Sequence, residues 1–84
     1  MNNLFTYNIA RTADECAFRK ACVVIENSLT GIRKEDPLVD VDGTVIQIYN
    51  TAWGKIKVFC DVEVDAVYAD SDVDLSALHL SDSW

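Results

Sequence analysis

Residues 55–69 read KIKVFCDVEVDAVYA, and how that stretch is taken decides the fold. Ile56, Val58, Cys60, Val62 and Val64 alternate with Lys57, Phe59, Asp61, Glu63 and Asp65. A period of two sustained over ten residues describes a strand with one buried face and draws no stripe on a helix. The run is longer than an ordinary strand, so a bulge or bend is expected near Ala66.

Working outward from that strand, LVDV (38–41) and TVIQIY (44–49) are rich in β-branched residues and meet at Asp42-Gly43, a pair suited to a tight hairpin turn. Residues 50–54, Asn-Thr-Ala-Trp-Gly, form the next turn. IRKEDP (32–37) is polar and ends in Pro37, which disfavours helix at Asp36 and removes an amide, so it reads as a loop. Upstream, Thr12 with Glu15 three residues on forms a capping box. Ala17, Phe18, Ala21, Cys22, Ile25 and Leu29 then draw one apolar stripe that Gly31 can close as a C-terminal cap. NLFTYNI (3–9) alternates again, with Phe5, Tyr7 and Ile9 inward, and makes a first strand. The last piece, 74–84, is either one helical turn capped by Asp74 or a loose tail.

The expected architecture is one α+β domain over residues 1–84 in the order β-α-β-β-β. A helix packs on an antiparallel sheet of about four strands in two layers, with an acidic C-terminal segment, 70–84, that need not be held. At 84 residues with half of them apolar, one modest core is available. The opening residues lack a basic and apolar leader, and no run is long enough to span a bilayer. The reading is therefore a protein of the cytoplasm.

Catalysis demands more than this chain offers. His79 is the one histidine, and Cys16, Cys22 and Cys60 are scattered, so neither a nucleophile with an oriented base nor a zinc ligand set emerges. Reduced, mostly buried thiols are expected. The three glycines, Gly31, Gly43 and Gly54, are all taken by turns or a cap, which leaves no phosphate-cradling loop. Asp70, Asp72 and Asp74 match the first half of an EF-hand loop, yet the sixth position is Leu75 and the twelfth Ser81 where Gly and Glu are needed. No enzyme, cofactor or metal is expected.

Charge carries the functional signal. Residues 1–57 hold seven bases and seven acids; residues 58–84 hold seven acids and no base, and so the whole net charge of −7. Within 60–74 stand Asp61, Glu63, Asp65, Asp70, Asp72 and Asp74. Like charges two apart on a strand lie roughly 6.6 Å from one another, and Asp is a poor strand former, so a merely solvated face would be cheaper with mixed side chains. Acidic sign opposes direct binding of nucleic acid or of an anionic membrane. It favours a basic partner, which a regular row of carboxylates can meet as a nucleic-acid strand would. Trp53 in its turn and Trp84 at the last position are candidate exposed anchors.

In size, acidity, element order and lack of catalytic residues, the chain resembles the small acidic inhibitors encoded by phages and other mobile elements, the anti-CRISPR proteins among them. The resemblance implies inhibition by occupation, in the cytoplasm of a bacterial host: binding a nucleic-acid-handling complex and covering its basic surface. Asp61, Glu63, Asp65, Asp70, Asp72 and Asp74 would then pair with Lys and Arg of the target, and Trp84 or Tyr68 would supply apolar contact. The alternatives are an immunity protein against a basic nuclease toxin, or a structural protein that forms a homodimer; monomer and homodimer both remain open.

Overall fold

The chain reverses direction inside the stretch 55–69. In a computed structural model, which describes residues 5–80, that run is two strands and a turn. The elements are β1 (Phe5–Ala10), α1 (Glu15–Ser28), β2 (Arg33–Lys34), β3 (Leu38–Val39), β4 (Val45–Thr51), β5 (Gly54–Asp61), β6 (Ala66–Ser71) and a 3-10 turn at Ser76–Leu78. They form one antiparallel sheet of order β1-β6-β5-β4-β2, with β3 also paired to β4. The α+β class stands as expected; the sheet has six strands where about four were anticipated.

The reversal has a local cause. Asp61 Oδ1 accepts from the amides of Glu63 (3.0 Å) and Val64 (3.3 Å), and Asp65 takes a left-handed conformation at φ 56°. A short carboxylate that bonds its own backbone two residues on offers the chain a turn in place of a ladder. Cys60 then pairs with Val67 and Asp61 with Ala66. Alternation of residue type continues through Val62 and Val64, but these are 46% and 62% exposed and belong to the turn.

Three further boundaries move for similar reasons. The helix is capped by Asp14, not Thr12: Asp14 Oδ1 accepts from the amides of Cys16 and Ala17, while the preceding amide, of Ala13, is bonded to Asp65 Oδ1. The first hairpin turns over Asp40–Gly43, with Gly43 N to Asp40 O (3.0 Å) and Asp40 N to Thr44 O (2.8 Å). Only Gly43 there has positive φ, so the loop is the type I turn with a glycine bulge and not the two-residue turn expected. Arg33 and Lys34, expected in a loop, pair with Asn50 and Tyr49 as β2.

α1 lies on one face of the sheet. Beneath it are Ala17, Ala21, Cys22 and Ile25 from the helix, Tyr49, Ile56, Val58 and Cys60 from β4 and β5, and Val67 and Ala69 from β6. β1 carries a bulge between Asn8 and Ala10, so Ile9 and Ala10 both bury. Leu75 and Leu80 are buried as well, and the Leu75 amide donates to the Tyr7 hydroxyl at 2.7 Å, which ties the segment through residue 80 to β1. Tyr49 is the largest fully buried side chain; its hydroxyl donates to Glu26 Oε2 at 2.5 Å, and Lys34 Nζ reaches the same oxygen at 3.2 Å. That bond holds the Glu26 carboxyl below the usual carboxylate range.

At the β4–β5 turn Gly54 (φ 141°) pairs with Thr51 and faces Asp72, whose carboxylate accepts from the Lys55 amide at 3.0 Å. A methyl group on Gly54 would stand 2.4 Å from Asp72 Cβ. Gly54→Ala is therefore expected to lower stability by about 2 kcal/mol or more, from clash and strained φ together. Urea denaturation checks it.

Candidate functional site

Three connections of the fold meet at one end of the sheet: residues 11–14 between β1 and α1, 40–44 between β3 and β4, and 62–65 between β5 and β6. They are tied to one another. Ala13 N donates to Asp65 Oδ1 at 2.8 Å, Val62 N donates to Thr44 Oγ1 at 3.1 Å, and Gly43 lies against the Val62 side chain. The result gathers Asp14, Glu15, Asp40, Asp42, Asp61, Glu63 and Asp65 at one pole. Against these seven carboxylates stand three bases, Arg11 and, one turn into the helix, Arg19 and Lys20, so the pole holds a formal −4 of the chain's −7. Arg19 is paired with Glu15 at 3.0 Å. Between the carboxylates the turns also present Val41, fully exposed, with Val62 and Val64.

The expected acidic row is thus divided. Asp61, Glu63 and Asp65 sit together at the pole. Asp70 lies in mid-strand on the sheet face away from α1, where it accepts from Thr6 Oγ1 at 3.0 Å. Tyr68 is on that same face and donates to Asp61 Oδ2 at 2.9 Å. Asp72 and Asp74 are carried to the opposite end of β6, where Asp72 binds the Lys55 amide and Asp74 accepts from the Tyr7 hydroxyl (3.1 Å) and the Ser76 amide (2.9 Å). Trp84 lies outside the described residues. Reversal at 61–65 is what breaks the row: Asp61, Glu63 and Asp65 fall at the turn, Asp70 on the returning strand, and Asp72 and Asp74 past its end.

Four residues of the pole were invisible in the charge count along the chain. Asp14, Glu15, Asp40 and Asp42 belong to the formally neutral first part, and only folding brings them beside Asp61, Glu63 and Asp65. A signal did exist. In an antiparallel meander alternate turns share an end, so a turn at 61–65 places itself beside the Asp42-Gly43 turn.

Most carboxylates here also build the turns they decorate. Besides Asp61, Asp14 and Asp65, Asp40 accepts from the Val41 amide and Asp42 from the Thr44 amide at 2.9 Å. The Thr44 bond holds Asp42 below the usual range, as the Ser76 amide does for Asp74. Burial, then the Asp61 bond, pushes Tyr68 up to about 12. Burial also raises the Cys60 thiol, reinforced by Glu15, Asp14 and Asp61, and the buried Cys22 thiol is raised too; neither is disposed to ionise as a nucleophile. Among the described residues no three of His, Cys, Asp and Glu gather as metal ligands, and no helix is long and apolar enough to cross a membrane. What the pole can do is receive cations, over a range of about 8 Å in physiological salt.

The opposite end carries a different surface. A cleft of about 200 Å³ is lined by Ser28, Leu29, Thr30, Ile32, Thr51, Trp53 and Val73, with Trp53 79% exposed at its edge. It is small beside ligand pockets of 300 Å³ and more.

Two expectations follow from these carboxylate bonds, at the pole and beyond it. Asp65→Ala removes both the bond to Ala13 and a residue tolerant of positive φ, and should cost about 1–2 kcal/mol in urea denaturation, whereas Asp65→Asn should cost less than about 0.5. Depressed carboxylates (Asp42, Asp74, Glu26) stabilise the fold fully above their unfolded values and stop doing so as pH falls through the lower folded ones. The melting temperature should therefore hold from neutrality to about pH 5 and fall below about pH 4, and Asp42→Asn should fall less steeply. No family model, curated protein or solved structure matches the chain.

Proposed function

We propose that this chain is a binding protein whose acidic pole occupies a basic, nucleic-acid-binding surface of another protein, as the small acidic phage inhibitors do. The observation that carries the reading is the pole itself: seven carboxylates, five in three separate connections and two at the ends of α1 and β5 beside them, converge at one end of the sheet against three bases. A solvated surface has no need to collect charge in this way, because each added carboxylate raises the self-repulsion of the folded state. Val41, Val62 and Val64 add apolar contact within the acidic rim, and a patch of that kind marks an interface better than charge alone. Negative potential of this density steers a basic partner and speeds its association.

Because Asp61 and Asp65 hold the turn, the informative variants reverse charge elsewhere. Glu63 is exposed and donates only its amide to the turn, and Glu15 lies on the surface of the first helical turn. The wild-type chain, immobilised, should capture a basic protein from bacterial lysate, release it as salt rises, and abolish that protein's binding to duplex DNA in a mobility-shift assay. Glu63→Lys combined with Glu15→Lys should retain the far-ultraviolet circular dichroism of the wild type and lose most of the capture. Capture that survives both high salt and the double reversal, or a captured protein whose DNA binding is untouched, overturns the reading.

A further inference from the structure

We propose that the sheet face not covered by α1 is the contact between two copies of this chain, packed face to face with their strands antiparallel. α1 and the 3-10 turn cover one side of the sheet. On the other side Leu38, Ile46, Phe59 and Tyr68 form one row across β3, β4, β5 and β6, with Ile48 in the next row. Phe59 and Tyr68 stack with centroids 4.7 Å apart and planes at 15°. Leu38 is exposed and the others are only partly covered. A sheet face that meets water alternates to polar side chains, whereas this one has an apolar middle.

Its charges select the occupant. Arg33 and Lys55 lie toward the Thr51–Gly54 end of the face and Asp61 toward the other, while Lys57 and Asp70 are register partners between them. Glu35, bonded to the Asn50 side chain, and Asp72, beside Lys55, bring the face and its end to three bases and four acids. The face is therefore close to neutral, a formal −1 of the chain's −7, and offers little to a strongly basic partner. A second copy matches it. With strands antiparallel across the contact, β5 lies over β5 and Lys55 of one copy stands over Asp61 of the other; with strands parallel, like meets like. The antiparallel arrangement also sends the two acidic poles in opposite directions, which relieves their repulsion.

Size sets the strength of the contact. The face measures roughly 20 by 20 Å from strand spacing and rise per residue, below the roughly 800 Å² per partner of a standard interface. The dimer is accordingly one that assembles and dissociates with protein concentration.

Sedimentation velocity on the full chain, over concentrations from micromolar to millimolar, tests this. Wild type should shift from monomer to dimer across the range. Ile46→Lys, checked for folding by circular dichroism, should raise the dissociation constant by about tenfold or more, through a buried charge at the centre of the contact. Lys55→Glu should weaken the dimer severalfold, because it sets a second carboxylate over Asp61 of the other copy, and that loss should shrink as salt rises. A chain that is monomeric throughout overturns the proposal, as does a dimer indifferent to Ile46→Lys and Lys55→Glu.

Discussion

The two bonds from Asp61 Oδ1 to the amides of Glu63 and Val64 are the constraint on which the rest of this structure depends. They end β5 at residue 61 and allow β6 to begin at residue 66, so the sheet gains the strand to which β1 is paired. Without that reversal Val67 and Ala69 would not lie beneath α1, and the pole would lose three of its carboxylates. The same side chain accepts from Tyr68 through its other oxygen. One carboxylate thus fixes backbone direction and orients an aromatic residue on the open face.

Acidic residues consequently do two kinds of work in this protein. Asp14, Asp40, Asp42, Asp61 and Asp65 each accept from a backbone amide, which is why Asp rather than Glu predominates in the connections. Their charge then accumulates because alternate turns of a meander fall at one end. The fold separates an acidic pole, a nearly neutral, apolar sheet face and a small cleft beside Trp53, and each invites a different partner chemistry. Charge governs the first surface and apolar area the second, so the first responds to salt more than the second.

Much of the fold was legible in the sequence. Period two in 55–60 and 44–49, the apolar stripe of 17–29 and the glycine of the 40–43 turn each announced the element that forms, because burial of one face imposes its own spacing. The reversal at 61–65 was not legible from hydrophobicity, since Val62 and Val64 keep the alternation while leaving the core. Turn chemistry competed with periodicity there, and the Asp61 carboxylate prevailed. Thr12 lost the helix cap to Asp14 for a tertiary reason: Asp65, more than fifty residues later in the chain, bonds the Ala13 amide. The candidate site was half visible. Asp61, Glu63 and Asp65 were singled out, but Asp40 and Asp42 could be assigned to the same end only once strand count and turn positions were known. Asp72 and Asp74 were included on linear proximity, which the turn cancels.

The pairing of β1 with β6 joins Phe5 to Ser71 and Ala10 to Val67. Contacts between such distant positions pay a large loop-closure entropy before any burial rewards it, so this seam forms late in folding. On the ribosome β1 emerges long before β6, its neighbour in the sheet among the described residues. Until residues 66–71 leave the exit tunnel, the segment around Phe5, Tyr7 and Ile9 lacks the β6 ladder it joins in the fold, and the nascent chain carries an unpaired apolar strand.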